Sequence, residues 1–476
     1  MAPGSTPEEQ GAPAEDLNHQ VVVIDNGAYT IKGGFAGHDD PQSVLPNCTA
    51  KSRRSARVHV ADQCENYSAT GDFSQLHYSR PFERGYLNDW EAQTQVWDHL
   101  FSEKYLDIDP KDNSLMVTEP VLNPRRLREQ MNEVVFESYE FQSFYCATGP
   151  RLAGNFYALE HPQSAFNKSY CRLIVDSGYS FSHVIPVFDG FNIDAGIKRV
   201  DIGGKALTNY FKQIVSYRQF NVMDETYVMN QAKETVAHVS LNYSADLERF
   251  CRMGENAPLA VEYILPDFKT VHEGFVRENP AAEATNHNAD GSNPESERDA
   301  ETDSPPAAKR PRRGTRRSTR GAPVEEAADD GVEEPQTEDT QSFDGQSMPV
   351  RTERISVPEL LFRPGNGGIA QGGVVDAIVQ SLDACHSDLR APLLSNILVV
   401  GGNACLPNFC KRLEAQLREA VPDHVPINVS VPADPVLCTW RGASSMASSS
   451  EFGEHAVTKA EYEEHGHSIC NRRFHR

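Results

Sequence analysis

The sequence predicts an α/β protein of two or more lobes. Three observations carry that prediction. Short β-branched runs recur along the chain, helical patterns lie between them, and one strand-ending pattern occurs twice. At 476 residues the chain is too long for one compact core, so two or more lobes are expected.

The apolar runs are "VVVID" from Val21, "SLMVTEP" from Ser114, "CRLIVDSG" from Cys171, "HVIPVF" from His183 and "NILVVGGN" from Asn396. Each reads as a strand because β-branched side chains suit a pleated, buried surface. Between them, "NPRRLREQMNEVVFESY" (123–139) predicts a helix with Leu127, Met131, Val134 and Val135 on one face and Pro124 near its first turn. "LPNFCKRLEAQLREAV" (406–421) predicts another, facing inward through Phe409, Leu413 and Leu417.

Two stretches break this pattern. Residues 1–20 are acidic and rich in proline and glycine, the composition of a disordered tail and of neither a signal nor a transit peptide. Residues 279–349 turn to Ala, Glu, Asp, Ser, Thr and Pro, with too few large apolar side chains to offset the entropy of ordering. They read as a disordered insertion. At its centre lies "KRPRRGTRRSTR", where Lys309, Arg310, Arg312 and Arg313 surround a proline as in a nuclear localisation signal. A solvated charge run offsetting nearby acid is the alternative. A net charge of −23 argues against a general DNA-binding surface. The ten cysteines form no CxxC pairs and read as reduced thiols, and no apolar run is long enough to span a bilayer. His465 and His467 read as surface or packing residues, and no metal site is expected.

The doubled feature carries the chemistry. "VVVIDNGAYTIKGGF" and "RLIVDSGYSFSHVIPVF" both run from apolar strand to Asp, a small polar residue and Gly, then return to a β pattern. Each predicts a hairpin whose tight turn aims backbone N–H groups outward. Two such turns facing each other can grip a phosphate chain, and their acids, Asp25 and Asp176, could hold a hydrated Mg²⁺. Turn chemistry alone, with no ligand, would also favour Asp and Gly at a strand end. Gly401 and Gly402, between a strand and a helix, suit close backbone approach to a ligand.

These hairpins are similar to the two phosphate loops of the actin, Hsp70 and sugar-kinase superfamily. "TEPVLNPRRLREQMNEVVFE" (118–137), "KRVDIGGKALTNYF" (198–211), "YILPD" (263–267) and "TWRGASSMASSSEFGEHAVTKAEYEEHGHSICNRRF" (439–474) resemble actin itself. The chain is identified as a member of the actin-related protein family. The resemblance implies an actin-like fold of two α/β lobes about a central nucleotide cleft. Residues 21–170 would form the first lobe, completed by 434–476, and 171–278 with 350–433 the second. It also assigns nucleotide-binding positions: Asp25, Asn26, Gly27 and Lys32 in the first loop, Asp176, Ser177 and Gly178 in the second, Lys233 and Glu234 beside the adenosine, and Gly401 and Gly402 beneath the adenine. His183 falls on the family's histidine after the second loop.

Departures from the family pattern point away from turnover. Ala28 and Tyr29 stand where Ser and Gly are expected, Tyr179 and Ser180 where Asp and Gly are expected, and Val436 in place of a lysine. Read without gaps, Gly149 takes the place of the glutamine that positions the attacking water, unless Gln142 holds that role from a displaced position. Phosphoryl transfer to water needs an oriented nucleophile, so no hydrolysis is expected and no cofactor is required; ATP or ADP with Mg would be a structural ligand. The segment from Val58 to Tyr86 is shorter than actin's corresponding stretch, and the insertion falls near another filament contact, so no filament is expected. The resemblance implies a nuclear, also cytoplasmic, non-catalytic subunit of a SWR1-type chromatin-remodelling complex that exchanges histone H2A for H2A.Z. Its partners would be the other subunits, including the Swi2/Snf2-type ATPase, and the nucleosome or its histones, with no membrane partner. The alternative is an active ATPase or kinase of the same superfamily.

Overall fold

The computed structural model describes residues 20–52, 57–66, 76–267, 271–277 and 346–474. The residues of the basic island, Lys309 to Arg320, lie outside them, as do residues 1–19 and 67–75.

Two sheets repeat one topology. In the first, strand Val21–Asn26 pairs antiparallel with Thr30–Phe35 (Val22 opposite Phe35, Asn26 opposite Ile31) and parallel with Ser114–Glu119. Ser143–Thr148 adds a further parallel strand, and Ser43–Pro46 and Val457–Thr458 form the two edges. In the second, Cys171–Ser177 pairs antiparallel with Ser182–Phe188 and parallel with Ile397–Val400, which in turn takes Val429–Ser430. Phe191–Asn192 and Lys198–Val200 both pair with Ser182–Phe188. Each lobe is thus a hairpin followed by a parallel crossover strand. The hairpin turns and the C-terminal ends of the parallel strands meet on one side, where ligands sit in open α/β sheets.

Both faces of the central strands are covered, which is why Val22, Val23 and Ile24 are all fully buried. One core joins Ile24, Leu115, Trp97, Leu100, Phe136 and Phe144; another joins Leu173, Val175, Leu207, Phe211, Ile397, Phe409 and Leu413. Between the sheets, helices Gly149–Glu160 and Cys438–Ala447 pack tightly together. A side chain at Gly442 would stand 2.3 Å from the Leu152 carbonyl oxygen, and one at Gly154 2.8 Å from Ile174 Cδ1. The C-terminal segment therefore lies against the first sheet at two places, through Val457–Thr458 and through Trp440, whose indole Nε1 donates to the Val23 carbonyl at 3.1 Å.

Smaller subdomains extend each lobe. The first carries a three-stranded sheet of Val58–Val60, Thr49–Ser52 and Leu76–Ser79, then a short hairpin of Phe82–Glu83 and Tyr86–Leu87. The second carries helices Gly204–Arg218, Thr226–Val236 and Tyr243–Met253 and a three-stranded sheet centred on Val261–Ile264.

Two expectations are corrected. The insertion was expected over 279–349, but Ser347–Val350 is a strand paired with Val261–Ile264. Its short "SMPV" alternates fully buried Met348 and Val350 with outward Pro349, a period too brief to show against the polar tract before it. The helix expected over 123–139 is α-helical only at Arg125–Glu133 and continues as a π-helical turn at Val134–Ser138. The extra residue per turn rotates the inward face, so Met131, Val135 and Phe136 are buried while Leu127 and Val134 are half-buried. Helix Phe409–Ala420 does bury Phe409, Leu413 and Leu417. Among the described residues, no helix is long and apolar enough to cross a membrane.

Candidate functional site

The two hairpin turns face each other across the cleft between the lobes. In the first, the Lys32 ammonium donates to Asp25 Oδ2 at 2.7 Å, both groups being buried. The Thr118 hydroxyl donates to Asp25 Oδ1 at 2.7 Å and accepts from the Asn26 amide at 3.1 Å. Both carboxylate oxygens of Asp25 are thus engaged by protein. The Asn47 amide donates to Asn26 Oδ1 and to the Gly27 carbonyl at 3.2 and 2.9 Å. A Cβ at Gly27 would stand 2.6 Å from the Thr30 carbonyl oxygen, so the turn admits only glycine.

In the second hairpin, Ser177 and Ser182 share a hydroxyl contact of 2.7 Å, and Asn403 Nδ2 donates to Ser177 Oγ at 3.1 Å and to the Gly178 carbonyl at 2.9 Å. Gly401 has a φ of +92°, and a Cβ there would meet the Ser177 carbonyl oxygen at 2.4 Å; Gly402 beside it faces open space. Lys233 lies almost fully buried with its ammonium 3.7 Å from Glu234 Oε1, and burial lowers its pKa. His183 is buried against Phe181 and held down to about pKa 3 by burial and the nearby Arg199 charge, so its ring is neutral at physiological pH. Among the described residues its Nε2 has no hydrogen-bond partner.

Asp176 differs from Asp25. Among the described residues its carboxylate makes no hydrogen bond or ion pair, and its pKa is pushed up to about 7, first by loss of water and then by the charge of Asp25, with Lys32 opposing. The folded value lies above the unfolded one of 3.8. Protonated Asp176 therefore favours the fold: that stabilisation is complete below about pH 4 and fades as the pH rises toward 7. Asp176→Asn should unfold a few degrees above the unsubstituted chain at about pH 8, a gain of about 1–3 kcal/mol, and at nearly the same temperature at about pH 4. An offset that stays constant across that range in calorimetry would show that the carboxylate does not titrate there.

Between the hairpins stand two rings. Tyr29, from the first turn, and Tyr179, from the second, lie with centroids 4.9 Å apart at 32°. The Arg80 guanidinium covers both, and the Tyr29 hydroxyl accepts from Asn230 Nδ2 at 2.8 Å. A phosphate chain laid between these turns would have to displace both rings and the guanidinium. The expected positions are therefore brought together in outline: Asp25, Asn26, Gly27 and Lys32 across from Asp176, Ser177 and Gly178, with Gly401 backing Ser177 and Lys233 near Gly204. Gln142 is not displaced toward them. It precedes strand Ser143–Thr148, donates to the Lys111 carbonyl, and lies about 20 Å along the strand from Gly149, which opens the helix at the cleft end. Arg80, Asn230, Thr118 and Asn47 escaped the sequence reading. The available signal was an aromatic residue in both turns, read as two losses rather than one contact.

This doubled-hairpin, two-lobed fold is that of actin, whose family model matches residues 16–475; the chain belongs to the actin family. Among its curated relatives it is similar to proteins named actin-related protein 6. It is 37% identical to that of Oryza sativa subsp. japonica over 463 residues, covering 95% of this chain and 98% of the relative. Against the Arabidopsis thaliana protein it is 37% identical over 454 residues, with 95% and 99% covered, and against the Drosophila melanogaster protein 35% over 461 residues, with 96% and 100% covered.

Proposed function

We propose that the chain is a non-catalytic actin-related subunit of a nuclear SWR1-type chromatin-remodelling complex that exchanges histone H2A for H2A.Z, serving as a structural adaptor in transcriptional regulation. ATP would be hydrolysed by the complex's Swi2/Snf2-type subunit. The supporting observation is the contact of Tyr29 and Tyr179 at 4.9 Å where the family grips phosphate. Three features add to it: Gly149 carries no side chain to orient water, both carboxylate oxygens of Asp25 are engaged by Lys32 and Thr118, and the relatives described above are named actin-related protein 6. These residues do not fit a Mg-triphosphate, and the reading gives one no role. It places the chain in the nucleus and also the cytoplasm, among the other complex subunits and the nucleosome, without filament formation.

Affinity purification of the full chain from nuclear extract tests this. Co-purification of a Swi2/Snf2-type ATPase and H2A.Z is expected. Recovery of monomer alone, or steady phosphate release by the isolated chain that Asp176→Ala abolishes, would overturn the reading.

A further inference from the structure

We infer that the two lobes are clasped shut by two arginine–aromatic stacks of the chain's own, in the place where a bound nucleotide would bridge them. In the first stack, Arg80 of the first lobe lies with its guanidinium carbon 4.6 Å from the Tyr29 ring centre and 5.1 Å from that of Tyr179 in the second lobe. Its Nη1 donates to the Tyr29 carbonyl at 3.1 Å, which fixes the guanidinium plane. Asn230, held by the Thr208 hydroxyl at 2.7 Å, ties the Tyr29 hydroxyl to the second lobe.

The second stack reverses the donor. Arg199, in the second lobe, lies 5.3 Å from the Tyr86 ring of the first lobe and 4.8 Å from Phe181 of its own, and donates to the Arg84 carbonyl at 2.8 Å. Between Arg84 and Tyr86, Gly85 has a φ of +82°, and a Cβ there would fall 1.9 Å from Phe181 Cε1. The Phe82–Leu87 hairpin therefore touches the second lobe through backbone. An arginine in each lobe thus reaches an aromatic ring of the other.

The tyrosines are not core packing. Neither Tyr29 nor Tyr179 joins any of the buried apolar clusters of the lobes; both are half-buried in the cleft. A planar guanidinium stacks on two rings where an ammonium cannot, and the attraction grows as water is excluded. A nucleotide closes a two-lobed protein only as far as its concentration allows. A clasp within the chain has a constant effective concentration, so closure here is independent of nucleotide. The inference concerns the cleft alone: loss of the proposed complex would leave it standing, and its failure would leave the adaptor reading open.

The test uses the full purified chain. Thermal unfolding with and without millimolar Mg-ATP should give the same midpoint; a reproducible upward shift would overturn the inference. Hydrogen exchange then reads the clasp. Arg80→Ala should speed exchange at both hairpin turns, residues 27–29 and 178–180, at least tenfold, while the strands Ser114–Glu119 and Ile397–Val400 keep their protection. Arg80→Lys, keeping charge without the stacking plane, should fall between. Equal protection of the turns in Arg80→Ala would overturn the first stack. Should that variant not fold, Arg199→Ala carries the same comparison, read at Arg84–Tyr86.

Discussion

Replacing Lys32 with methionine should destabilise the chain by about 3–5 kcal/mol, because it leaves the Asp25 carboxylate buried without its counter-charge. The ammonium sits 2.7 Å from Asp25 Oδ2 with both side chains close to fully enclosed. The Thr118 hydroxyl satisfies the other oxygen but brings no charge. Urea unfolding of Lys32→Met measures the loss. The double variant Asp25→Asn with Lys32→Met should recover half of it or more, since neither member then remains as an orphaned ion. A loss below about 1 kcal/mol would mean that water reaches the pair as it does on a surface. Lys32 reaches across the hairpin to the neighbouring strand, Asp25 standing opposite it in the antiparallel register.

The second large effect is expected at Trp440. Its side chain is fully buried, its indole donates to the Val23 carbonyl, and Gly34 makes room for it, since a Cβ there would stand 2.7 Å from Trp440 Cζ2. Trp440→Ala should cost about 3–5 kcal/mol through the cavity left against the central strand. Trp440→Phe, which keeps most of the volume, should cost less. Limited proteolysis should then cut the C-terminal segment of the alanine variant early. Survival of that segment would show that Val457–Thr458 alone holds it to the sheet.

The strands were legible because their side chains announce them. Val22 to Ile24 and Ile397 to Val400 are covered on both faces and so read as continuous apolar runs rather than alternating ones. The doubled Asp-x-Gly pattern was legible as a repeat; a Cβ is excluded by backbone at Gly27 in the first turn and at Gly401 after strand Ile397–Val400, whereas one at Gly178 in the second turn would meet only the Phe181 carbonyl oxygen at 3.9 Å. The π-helical turn at Val134–Ser138 was hidden, because one extra residue changes which positions face inward without changing composition. The clasp was hidden more deeply. Arg80 stands 51 positions from Tyr29, and no local periodicity links a guanidinium to a ring that distant. Tyr29 and Tyr179 also sit at unequal offsets from their glycines, which disguised them as separate substitutions.

The strand Val261–Ile264 has a practical consequence. It is flanked by Phe275–Arg277 on one side and Ser347–Val350 on the other, with Arg277 opposite Glu262 and Ser347 opposite Ile264. Strand spacing and rise hold those two ends roughly 12 Å apart. For a flexible chain joining two such ends, doubling its length costs only about 0.6 kcal/mol in closure entropy. The position is a natural port for protein engineering: a fluorescent or affinity module whose termini lie about that far apart, inserted between Arg277 and Ser347, is expected to leave the pairing of both strands with Val261–Ile264 intact.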